Sequence, residues 1–163
     1  MSLHEVSPVY WAVAILMAAS GFTVLWLLDA ITHKALVKVD ITDKELQTHR
    51  NILVTSMLME ASLVAMFWWQ WEALPFFIAF FITRTVHEFI DELHFHTERC
   101  TVYESRLHLG MWITVLSKTA LMFMWGFFTG YKGILELPML LYVWAALVFG
   151  TMSVVSYFEW KRG

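Results

Sequence analysis

Residues 9–28 read VYWAVAILMAASGFTVLWLL, twenty consecutive positions without a charged side chain. At about 1.5 Å per residue, a helix of that length crosses the roughly 30 Å of bilayer hydrocarbon. Ser7 and Pro8 precede the run and suit a helix start, since proline at the first helical position loses no hydrogen bond. Met1 to Glu5 carries no positive region, and no small-residue cleavage site interrupts the run, so it is read as a retained helix and not a signal peptide.

The same pattern recurs along the chain. Thr42-Asp43-Lys44-Glu45 has capping-box spacing and leads into a second apolar segment whose only mid-span charge is Glu60. After a tight connection at Gln70–Leu74, Pro75 opens a third segment that becomes polar at Arg84 and His87. A fourth is apolar apart from Lys118, and Gly130-Tyr131-Lys132-Gly133 turns the chain into a fifth. The expectation is a single all-α domain over residues 1–163: an integral membrane bundle of five transmembrane helices, spanning about 8–30, 48–71, 75–95, 107–129 and 137–158. The uncharged part of the third segment, residues 73–83, is short, so four spans plus a re-entrant third segment is the alternative.

Composition supports the membrane reading. The 163 residues are 59% hydrophobic and only 15% charged, too few charges to cover a soluble globule of this size. Nine tryptophans fit interfacial belts, and Phe67-Trp68-Trp69-Gln70-Trp71 is the densest of them. A net charge of −3 without a basic cluster excludes nucleic acid as a partner. Cys100 is the only cysteine, which excludes an intrachain disulfide and leaves a free thiol or a reserve soft ligand. With five spans, Lys34, Lys38, Lys44, Arg50, Arg99, Arg106, Lys161 and Arg162 share one side and Lys132 stands on the other. The positive-inside rule then puts the amino terminus outside and the carboxyl terminus in the cytoplasm, as in a bacterial-type inner membrane.

Six of the seven histidines, all but His4, fall at that cytoplasmic side. Four stand four residues from a carboxylate: Asp29 and His33, Glu45 and His49, His87 and Asp91, Glu104 and His108. Residues four apart share a helix face. Glu45, His49, Ser56 and Glu60 lie within about 60° on the second helix, and Arg84, His87, Asp91, His94 and Glu98 within about 80° on the third. Polar stripes on membrane helices point inward, and Lys118 on the fourth helix is the expected partner of Glu60, with Arg84 the third intramembrane polar group.

Imidazole and carboxylate together suit iron, zinc or manganese, and facing helices supply them at fixed spacing. The expected metal ligands are His49, His87, Asp91, His94, Glu104 and His108, with Glu45, His33 and His96 as further candidates. No catalytic residue is assigned. Iron, as a di-iron centre, is the expected cofactor, with zinc or a haem between His49 and His108 as alternatives. The function expected is oxidation, hydroxylation or desaturation of a lipid-like substrate. The alternatives are an accessory subunit packed against other membrane subunits, and metal or proton transport by a homo-oligomer.

Overall fold

The computed structural model describes residues 3–36, 42–96 and 101–161, with the side chains of all of these but residues 32–36, 96 and 159. Five helices carry the fold: α1 (Pro8–Leu36), α2 (Asp43–Ala65), α3 (Gln70–Ile90), α4 (Val102–Thr129) and α5 (Met139–Trp160). Asp91–His96 prolongs α3 as a π-helical turn, and no strand occurs among the described residues. This is the all-α membrane bundle that the apolar runs predict.

Four of the helices are long and apolar enough to cross a bilayer, over Pro8–Ile31, Gln70–Phe95, Val102–Thr129 and Met139–Phe158. The third segment is among them, a continuous helix and not a re-entrant loop. The polar helix is α2, whose 23 residues are long enough for a crossing but include Glu45, His49, Arg50 and Glu60. It lies against α3 along its length and also touches α4. α1 packs chiefly on α4 and, on another side, on α5, where Trp144 Nε1 donates to Ser20 Oγ at 2.9 Å.

α1 runs on to Leu36 and α4 begins earlier, at Val102, than the sequence reading has them, and the α2–α3 connection also differs. α2 stops at Ala65, not Trp71, and α3 starts at Gln70, so Pro75 falls within its opening turns. Tertiary contacts explain the early stop. Leu63 and Met66 are completely buried, and Tyr131 donates its hydroxyl to the Leu63 carbonyl at 3.0 Å, a second donor beside the Met66 amide at 3.2 Å. The chain then turns at Met66–Trp69, leaving Trp68, Trp69 and Trp71 exposed as interfacial anchors require.

The apolar core gathers at this tryptophan end, where Trp11, Leu16, Leu63, Met66, Trp125, Tyr131 and Leu141 form one cluster. Tyr131 is its keystone and takes a left-handed conformation, φ 54°, just after Gly130 at φ 57°. That conformation is unusual for a side chain larger than glycine. The ring repays it by packing edge-on against Trp125 at 5.3 Å and by the bond to Leu63. Burial pushes the Tyr131 phenol far above its ordinary pKa, so it stays a donor. Gly126 makes room for it: a Cβ there would stand 2.7 Å from the ring. Gly126→Ala is therefore expected to destabilise the bundle by about 1–3 kcal/mol. Tyr131→Phe, which keeps the ring, is expected to cost about 1 kcal/mol. Thermal melts of the detergent-solubilised variants measure both, and a melting point in Gly126→Ala equal to that of the parent chain would contradict this account of the turn.

Candidate metal centre

The opposite end of the bundle holds the polar residues. Glu45 and His49 lie one turn apart on α2, whose first turn is fixed by Thr42 Oγ1 accepting from the Glu45 amide. Glu45 is fully buried. Facing them, at the start of the π-turn, Asp91 Oδ1 lies 3.0 Å from His49 Nε2. Glu45, His49 and Asp91 each offer a ligand atom within 4.8 Å of the others, the one such set among the described residues.

The π-turn sends neighbouring residues to different helices. Asp91 faces α2, and Glu92, rotated by roughly 80–100°, faces α4, where its Oε2 lies 2.9 Å from His108 Nδ1. The other nitrogen of His108 lies 3.3 Å from Asp29 Oδ1 on α1. The buried ring makes both bonds at once only when both nitrogens carry protons, so His108 acts as a cationic clamp joining α1, α4 and the π-turn. Its two carboxylates sit on opposite ring edges and do not converge on one point.

The other expected ligands stand apart from the triad. His87 donates from Nδ1 to the Thr83 carbonyl at 2.8 Å and accepts at Nε2 from Asn51 Nδ2 at 3.1 Å, which occupies both ring nitrogens. His94 is exposed, its ring edge-on to Phe95. Glu104, placed by its spacing beside His108, instead caps α4: its Oε2 accepts from the Thr101 amide at 2.7 Å while its own amide donates to Thr101 Oγ1. A capping box four residues upstream of a histidine looks the same in sequence as a ligand pair. The His33 and His96 side chains, and Cys100, lie outside the described residues. His49 and His108, the axial pair a haem requires, are each turned to carboxylates.

Deeper in the bundle, Lys118 Nζ lies 2.5 Å from Glu60 Oε1. One turn away on the facing helix the buried Arg84 donates from Nη1 to Glu88 Oε2 at 2.9 Å and from Nη2 to Glu88 Oε1, while its Nε donates to Ser56 Oγ at 2.8 Å. Spacing flagged Arg84 but not Glu88 or Asn51. Glu88 was legible as an i, i+4 acid to Arg84, whereas Asn51 is identified only by the helix pairing. The pairings His49 with Asp91, Asn51 with His87 and Ser56 with Arg84 fix the antiparallel register of α2 on α3.

Hollows of about 270 and 360 Å³ lie elsewhere, one between the amino-terminal turn and Lys132–Glu136, the other on the α2–α3 face near Ala61, Ala65 and Trp69. Neither borders the triad.

Removing one partner of a buried pair strands the other charge. Lys118→Met is expected to lower stability by about 3 kcal/mol or more, and adding Glu60→Gln to recover most of it. Unfolding of the solubilised protein by SDS, followed by circular dichroism, reads this out. Equal stability of the single and double variants would show that the pair carries no energy. Comparison with known proteins returns no match to this chain among family models, curated proteins or solved structures.

Proposed function

We propose that the chain is a membrane metalloprotein in which Glu45, His49 and Asp91 hold a divalent transition-metal ion at one end of the bundle, and that it oxidises a hydrophobic substrate drawn from the bilayer. The observation that supports this is the convergence of the three donors to within 4.8 Å. Donors bound to one ion at about 2.1 Å stand roughly 3.0–3.4 Å apart. His49 and Asp91 already do so, and Glu45 needs to approach by only about 1–2 Å. One imidazole with two carboxylates is a hard, mixed set that suits iron, manganese or zinc better than copper.

Iron bound there would supply one-electron redox chemistry and activation of dioxygen, with three protein ligands leaving positions for both reactants. The residues of the chain set the stage for it. Burial of Glu45 lowers the local dielectric and excludes water from that side. Thr42 and the α2–α3 register hold its helix, and the exposed apolar side chains of Phe89, Ile90 and Leu93 flank Asp91, offering a lateral approach from lipid. The lysine and arginine bias of the loops supports a cytoplasmic position for this end, where reductants would be available.

Elemental analysis of the detergent-purified protein tests the site. The expected result is one equivalent of iron per triad, lost in Glu45→Gln, His49→Ala and Asp91→Asn, and retained in His94→Ala and His4→Ala. Stoichiometric zinc in place of iron would redirect the chemistry to hydrolysis or transport. A metal-free protein, or equal metal in every variant, would remove the triad as a site and favour a structural role within a larger membrane assembly.

A further inference from the structure

The hollow at the tryptophan end lies across the bundle from the triad. Its floor is apolar, made by the buried rings of Trp11 and Trp125 with Pro8, and its exposed lining includes His4, Lys132 and Glu136. The backbone sets its walls. Gly133, at φ 78°, brings the α4–α5 connection so close to the start of α1 that a Cβ there would stand 2.7 Å from Pro8 Cγ. Trp125 Nε1 donates to the Lys132 carbonyl at 3.3 Å, and in the turn Ile134–Glu136 the Glu136 amide donates to the Gly133 carbonyl at 3.1 Å. Lys132 and Glu136 therefore extend from a backbone that is in place before a ligand arrives, which lowers the ordering cost of binding.

Size and charge limit what fits. At about 30 Å³ for each water-sized group, 270 Å³ holds about nine of them, enough for a headgroup but below the roughly 300–1,000 Å³ of a drug-sized site. Glu5, which also lines the hollow, is already engaged, whereas among the described residues neither the Lys132 ammonium nor the Glu136 carboxylate enters a hydrogen bond or ion pair. One cation and one anion are left to meet a ligand. By helix order Lys132 is also the one lysine or arginine in the connections at this end, where positive-inside bias leaves such residues scarce. Leu135, Met139 and Leu140, on either side of Glu136, are exposed as lipid-facing side chains are, so the hollow opens where polar and apolar surfaces meet. We propose that it binds the zwitterionic phosphoethanolamine headgroup of a bilayer lipid, with the phosphate on Lys132 beside His4, the primary ammonium on Glu136, and the acyl chains leaving over Leu135, Met139 and Leu140. Lysine meets phosphate as a point charge, and a carboxylate accepts hydrogen bonds from a primary ammonium. A choline headgroup has no N–H to donate, and an anionic headgroup brings no charge to answer Glu136. The site does not rest on the metal-site reading.

Native mass spectrometry of the full-length protein, delipidated in detergent micelles and titrated with phosphatidylethanolamine or phosphatidylglycerol of the same chain length, counts the lipid bound. The parent chain is expected to bind one phosphatidylethanolamine about fivefold more tightly than phosphatidylglycerol. Lys132→Gln and Glu136→Gln are each expected to weaken that binding by about three- to fivefold. Glu136→Lys, which offers a second cation, is expected to invert the preference in favour of phosphatidylglycerol, a gain that misfolding does not produce. Lys161→Gln, at the other end of the bundle, is expected to leave both affinities unchanged. Equal affinity of the parent chain for the two lipids overturns the proposal. So does a preference that survives both single variants, or one that Glu136→Lys fails to invert. Free phosphoethanolamine that displaces the lipid at equal concentration would assign the hollow to a soluble compound and overturn the lipid source.

Discussion

Hydrocarbon contains no water to satisfy a polar group, and α2 carries more polar groups than any other helix of this bundle. Each must find its partner within the protein, and the rest of the arrangement follows from that requirement. Glu60 is answered by Lys118 of α4, Ser56 by Arg84 of α3, Asn51 by His87 and His49 by Asp91. These contacts decide which helices surround α2 and at what register. Burial of leucine or methionine would not: lipid tails are as apolar as they are, so apolar contact in a membrane gives packing but little direction. A helix too polar to stand alone in lipid becomes the one its neighbours organise around.

The two ends of the molecule therefore hold together by different physics. At the tryptophan end, close packing dominates: Leu63 and Met66 are completely enclosed, Tyr131 fills the notch left by Gly126, and rings of Phe77, Phe123 and Phe127 stack in sequence. At the histidine end, apolar contacts are fewer and ionic contacts tie distant segments. His108 joins α1 to the π-turn, and Arg50 lies 5.6 Å beneath the Trp160 ring, drawing the end of α5 over α2. One end is shaped by volume, the other by charge.

The sequence makes the fold legible because twenty uncharged residues in a row have one economical fate, and a capping signal such as that at Thr42 marks where a helix begins. It misplaces the α2–α3 turn because the helix ends where Tyr131, more than sixty residues away, reaches the Leu63 carbonyl, and no local pattern contains that contact. The candidate site is legible only in part for the same reason. Helical spacing identifies which residues share a face, so Glu45 with His49 and the inward turn of Asp91 follow from it. It does not say what lies opposite. Asp29 is four residues from His33 in sequence but bonded to His108 across the bundle, and Glu104 is four residues from His108 but spent on its own helix end. Periodicity reports direction, and partnership depends on which helices become neighbours.

The π-turn at Asp91–His96 has one more consequence. A π-turn holds about one residue more than the α-turn it replaces. Deleting a single position there would convert it to an ordinary α-turn and leave every later side chain within about 20° of its present direction. Asp91 would keep its direction, and what the helix would lose is one of the side chains that the wide turn fans out toward different neighbours. The helix would remain as apolar and nearly as long, and a hydropathy profile would not register the loss. In this stretch of chain the extra residue serves the turn's own spread of directions, so a one-residue gap between Leu93 and Phe95 would leave the rest of the helix facing as before.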